Sequence, residues 1–111
     1  MSAAAGSGTY LISDDFECID IPFTQLTSRA SFVVCVSGDS MEPTYQDGDI
    51  LLVQAADSID IGEIGIFVIN NEGYVKKSGI GRLISLNQKY PDIVIQEVDE
   101  VRARGRVLGK I

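Results

Sequence analysis

The chain has 111 residues, 45% of them apolar, and carries 16 acidic against 9 basic side chains for a formal charge of −7. This is the size of one domain with one modest core, and an acidic balance makes the chain alone a poor nonspecific binder of nucleic acid, which needs clustered Lys and Arg. There is no histidine, so Ser-His-Asp and Cys-His catalysis are ruled out, together with most zinc sites.

Residues 1–9 are small and flexible in composition, a tail or linker ahead of a domain spanning residues 10–111. The opening MSAAAGSG has neither the basic start nor the apolar stretch of a signal peptide. No apolar run approaches the ~18–20 residues that span a bilayer, so a cytoplasmic protein is expected. Ile19-Asp20-Ile21-Pro22-Phe23 reads as a short edge segment, because Pro22 cannot donate to a ladder. Ser31–Ser37 is a strand by its β-branched content. Glu42–Tyr45 suits a turn or a single helical turn, and Gln46-Asp47-Gly48-Asp49 is a turn signal.

Strands follow at Ile50–Ala55 and Ile64–Ile69, with a turn at Asp60–Glu63 between them. Asn70-Asn71-Glu72-Gly73 reads as a hairpin loop, Tyr74–Ser78 as the returning strand, and Arg82–Leu86 as another. A loop at Asn87–Asp92 leads to strands at Ile93–Val98 and Val101–Ile111. Short strands at this spacing, with little helical periodicity, predict a mostly β, barrel-like or strongly coiled antiparallel sheet.

The last strand gathers Arg102, Arg104, Arg106 and Lys110 without an acid among them. Alternation puts these on one face and Val101, Ala103, Val107 and Ile111 on the other. That is either a half-buried strand with a solvated basic face or a partner surface. Cys18 and Cys35 form no CxxC pair, and two free, buried thiols are expected. No cofactor or metal is expected.

Without histidine, a nucleophile must find another base. Ser40 stands between Asp39 and Met41 at the head of an apolar strand. A hydroxyl attacks only once a base takes its proton. A lysine can serve as the neutral amine, and burial disfavours the ammonium. Alternation sends Lys76 and Lys77 to opposite faces, with Tyr74 on the Lys76 face. One lysine therefore points inward, either to be used or to snorkel back to water.

Ser37-Gly38-Asp39-Ser40-Met41-Glu42-Pro43, then Asp47-Gly48-Asp49-Ile50, then Val75-Lys76-Lys77 with Lys76 36 residues after Ser40, resembles the LexA and phage-repressor family of Ser–Lys peptidases. The resemblance runs from about Tyr10 to Ile111 and implies a coiled sheet of the LexA and signal-peptidase type. It implies Ser40 as nucleophile, Lys76 as general base, and backbone N–H groups of Ser40 and Asp39 as oxyanion donors. Gly38 would permit the tight turn, Met41 would be an apolar wall near the amine, and Gly48-Asp49 a structural turn. The position two before the lysine often carries a small hydroxyl residue in the LexA branch; here it is Tyr74.

The family cuts itself at a small residue followed by glycine. Ala5-Gly6 fits, with Gly6 34 residues before Ser40, although the same stretch also suits a flexible linker. The resemblance further implies a homodimer and a RecA filament as trigger in the SOS branch. Operator DNA would be bound only through an N-terminal helix-turn-helix domain absent from this sequence. A repressor dimerisation module with a vestigial dyad and a UmuD-like polymerase accessory protein are the alternatives. A membrane signal peptidase would need an anchor that is not seen.

Overall fold

The computed structural model describes residues 13, 15–19 and 30–111. Among them there are eight strands and no helix: β1 (Phe16–Ile19), β2 (Phe32–Val36), β3 (Ile50–Ala55), β4 (Ile64–Ile69), β5 (Glu72–Gly79), β6 (Arg82–Ile84), β7 (Ile93–Val94) and β8 (Val101–Lys110). They form one sheet in the order β1-β2-β3-β8-β4-β5-β6-β7, and every neighbouring pair is antiparallel. The sheet curls into a half-barrel, so that β1, at one edge, touches β5 from the far side. The mostly β, coiled sheet expected from the sequence is the fold observed.

The core follows from the apolar faces of the central strands. Val34, Val36, Met41, Leu51, Val53, Ile66 and Val75 are buried in one cluster with Phe16. A second cluster holds Phe67, Ile69 and Leu83. Ile66 and Phe67 are consecutive on β4 and point to opposite faces, so β4 is covered on both sides. That explains its unbroken apolar run, IGIFVI. Burial of such a side chain contributes about 1.5–3 kcal/mol.

β8 fills the gap between β3 and β4, and it does so through irregular registers. Leu52 pairs with Gly109 while Val53 pairs with Val107, and Ile66 pairs with Gly105 while Phe67 pairs with Ala103. Each shift leaves one β8 residue without a partner, as a bulge does, and a bulge bends its strand. Gly105 sits at the tightest point: a Cβ there would lie 2.4 Å from Val53 Cγ1. Its missing side chain is what lets the strands approach.

Several elements are shorter than the sequence suggests. The β4–β5 loop is only Asn70-Asn71, both in the left-handed region (φ 50° and 73°), and Ile69 pairs directly with Glu72. Asn tolerates that backbone better than most residues, so Glu72 and Gly73 belong to the strand. β6 stops at Ile84. β7 is two residues long because Gln96–Asp99 closes a turn of its own, with Asp99 N–H donating to the Gln96 carbonyl and the Gln96 N–H to Asp99 Oδ2. Cys35 is half-buried rather than buried, and it is a free thiol. Pro22 lies outside the described residues. On β8, Arg102 and Arg104 are exposed, whereas Arg106 pairs with Glu63 at 3.1 Å and Lys110 with Asp49 at 3.2 Å.

Candidate active site

Ser40 lies on the turn after β2. Gly38 takes φ +80° there, a conformation that a side chain would strain, and its N–H donates to Asp47 Oδ1 at 2.8 Å. The chain then makes one helical turn, Tyr45 N–H to the Met41 carbonyl at 2.9 Å, and Met41 locks this turn to the core at 1% exposure. Gly48 and Asp49 close the loop. The Asp49 carboxylate accepts the Gln46 N–H at 2.8 Å, and this bond, with Lys110 beside it, holds the carboxyl below its ordinary range.

Lys76 comes from the middle of β5. It is the inward lysine of the pair, 3% exposed, while Lys77 is half-buried. Its ammonium donates to Ser40 Oγ at 3.1 Å, so residues 36 apart in the chain meet in a buried bond. The ammonium also lies 5.7 Å from the centre of the Tyr74 ring, within cation–π range. Tyr74 thus stands over the amine by its ring face.

The sequence reading missed the third member. Asp15, just ahead of β1, accepts from Lys76 Nζ at 2.8 Å and from the Val75 N–H at 3.0 Å, both on Oδ2. Its own backbone is held in a hydroxyl-stabilised turn. The Asp15 and Phe16 N–H groups donate to Ser13 Oγ, which in turn donates to the Gly73 carbonyl at 2.9 Å. The curl of the sheet brings this segment across to β5. The one available signal was local: serine two residues before aspartate, ahead of an apolar strand.

On the solvent side, a second set of groups holds the turn. The Asp39 carboxylate accepts the Tyr90 phenol and pairs with Lys89 Nζ at 2.8 Å. Lys89 first, then Tyr90, holds the Asp39 carboxyl below its ordinary range. The same carboxylate raises both Lys89 and Tyr90. The Asn87 Nδ2 donates to the Asp39 carbonyl at 3.0 Å, and the Asn87 N–H to the Ser40 carbonyl at 2.9 Å. The sequence reading took Asn87–Asp92 for a plain loop. Ala5 and Gly6 lie outside the described residues.

Chemically the arrangement is a hydroxyl within hydrogen-bond reach of an amine, the amine aligned by a carboxylate, brought together by a strand, a turn and a strand-flanking residue of one curled antiparallel sheet. That defines a domain built around a buried serine–lysine–aspartate cluster. The Peptidase S24-like family model matches residues 1–108, and the chain belongs to that family. It is 30% identical to the LexA repressor of Carboxydothermus hydrogenoformans, over 97% of this chain and 55% of that protein. It is 26% identical to the LexA repressor of Paramagnetospirillum magneticum, over 96% of this chain and 47% of that one. A LexA repressor of Leptospira biflexa is 36% identical over 66% of this chain and 37% of its own length. The chain spans about half the length of the first two of these relatives. Among the described residues no helix is long and apolar enough to cross a membrane.

Proposed function

We propose that this chain is the self-cleaving serine peptidase domain of a LexA-like or phage-repressor-like transcriptional regulator, and that it cuts its own Ala5–Gly6 bond. The observation that carries this reading is the buried contact between Ser40 Oγ and Lys76 Nζ, 3.1 Å long. Ser40 Oγ attacks the Ala5 carbonyl carbon while its proton passes to the Lys76 amine. The carbonyl oxygen takes up the charge, received by the backbone N–H groups of Ser40 and Asp39. Collapse breaks the C–N bond, and the Lys76 ammonium gives its proton to the departing Gly6 amine. Water, deprotonated by the same amine, then hydrolyses the Ser40–Ala5 ester.

Asp15 suits this sequence of steps. By accepting one N–H of the amine it leaves the lone pair facing Ser40, much as a carboxylate orients a catalytic imidazole. The dimer and the inducing partner belong to the same proposal, as does operator binding by a further domain.

The test is to incubate the purified chain from neutral to alkaline pH and weigh the product. Loss of residues 1–5, faster as pH rises because only the neutral amine accepts a proton, is the expected result. Ser40→Ala and Lys76→Ala should each stay intact. Continued cutting by either variant, or a rate flat across that pH range, would remove the dyad. No cutting by the parent chain would favour a dimerisation module.

A further inference from the structure

The oxyanion site of a turn-borne nucleophile is made of peptide planes, and a plane has to be held from outside. A trans peptide unit is flat, with its C=O and N–H pointing in opposite directions. Fixing the Asp39 carbonyl therefore fixes the direction of the Ser40 N–H, and fixing the Ser40 carbonyl fixes that of the Met41 N–H. Asn87 supplies a donor to each: its side-chain Nδ2 to the first at 3.0 Å, its backbone N–H to the second at 2.9 Å. The Asp39 carbonyl also accepts the Glu42 N–H at 3.2 Å, but that donor moves with the turn. Asn87 reaches the carbonyl from 48 residues away, anchored on the strand that ends at Ile84.

Asn87 is itself well braced. Its Oδ1 accepts the Lys89 N–H at 3.1 Å and its carbonyl the Tyr90 N–H at 3.1 Å. The same Lys89 and Tyr90 side chains return to the Asp39 carboxylate. The 87–90 loop thus grips the residue before the nucleophile twice, by its carbonyl and by its side chain. An amide is required: Nδ2 must donate while Oδ1 accepts, and an aspartate at this position would set oxygen against oxygen.

We infer that Asn87 is a positioning residue for the oxyanion site, holding the Asp39 carbonyl outward so that the Ser40 N–H points at the place where the scissile carbonyl oxygen acquires charge. The inference deepens the peptidase reading and rests on Ser40 as nucleophile. The hydrogen bonds of Asn87 go to Asp39, Ser40, Lys89 and Tyr90, and those of the Lys76 amine to Asp15 and Ser40, so the loss of Asn87 misaims the donor and leaves the base alone.

Two variants test it. Asn87→Ala removes the donor, and Asn87→Asp keeps the volume and Oδ1 but replaces the donor with an acceptor. Residual dipolar couplings of the Ser40 N–H, measured on each ¹⁵N-labelled chain at pH 6, report the direction of that bond. Self-cleavage against pH reports its consequence. The expected result is a changed Ser40 coupling in both variants and a rate lower by about ten- to a hundredfold, with the midpoint of the pH–rate profile unmoved. Unchanged couplings overturn the inference, as does a rate within about twofold of the parent, since one lost oxyanion donor costs far more than that. A shifted midpoint overturns it too, by placing Asn87 on the amine instead. Should Asn87→Ala fail to fold, Asn87→Asp carries the same test. A parent chain that never cuts defeats the peptidase reading, and the couplings then decide alone whether Asn87 aims the bond.

Discussion

Two carboxylate–ammonium pairs flank the Ser40 turn, Asp15–Lys76 on the inside and Asp39–Lys89 on the outside, and both are 2.8 Å long. The inner side chains are 14% and 4% exposed, the outer 33% and 65%. Identical lengths thus conceal different physics. In water the outer pair gains little over two solvated ions and is screened by salt. The inner pair has given up most of its solvation, so each partner depends on the other. Distance says that two groups meet; burial says what separating them costs. The inner pair suits a group whose proton must be controlled, and the outer one suits a tether that steadies a turn.

The largest effect should come from unpairing the inner side. Asp15→Ala leaves a nearly buried ammonium without its carboxylate and orphans the Val75 N–H, and it should cost about 3 kcal/mol of stability at neutral pH. Denaturant unfolding of a variant that also carries Ser40→Ala, so that the proposed self-cutting cannot interfere, measures it against Ser40→Ala alone. Replacing both partners, Asp15→Leu with Lys76→Met, should recover most of the loss, since two charges then need no solvation. If the single and double replacements are equally unstable, the cost lies in packing of the segment before β1 and not in the charge.

Next in size is the outer pair. Lys89→Ala should leave the unfolding midpoint unchanged within error, and raising salt to 1 M should erase any difference, because the Debye length is then about 3 Å. The inner pair should be nearly indifferent to the same salt. A large salt-sensitive loss at Lys89 would make the two regions alike and dissolve the contrast.

The same contrast explains what the sequence could reveal. β3 and β4 are legible to the residue because apolar runs and flanking turn residues coincide: Gly48-Asp49 opens β3, and Gly62, at φ +92°, opens β4. β7 was overread because Ile93, Ile95 and Val98 look like a strand, yet Val98 is 90% exposed and the chain has already turned. Ser40 and Lys76 could be singled out because their neighbours form motifs of recognisable type. Asp15 could not, since its role depends on the curl that carries β1 across to β5, a property of the whole sheet. Asn87 was hidden for a related reason: a loop asparagine looks like turn chemistry until the carbonyl it serves is known.

The smallest effect is also the most specific to the outer region. Lys89 and then Tyr90 hold the Asp39 carboxyl below its ordinary value of 3.8. A group whose value falls on folding contributes stability that is present above 3.8 and lost as pH drops through the lower folded value. Lys89, raised from 10.5 by Asp39, contributes in the opposite sense: its share is present below 10.5 and lost as pH climbs through the higher folded value. The tether therefore holds across the whole neutral range and loosens only at the extremes. A ¹³Cγ titration of Asp39 should find its midpoint below 3.8, moved upward by Lys89→Ala but not fully restored, because the Tyr90 phenol still donates. Lys89→Ala with Tyr90→Phe should complete the return. A midpoint that ignores Lys89 would mean that the exposed pair exists in space without acting on either charge, and the outer hold on the turn would then come from Asn87 and Tyr90.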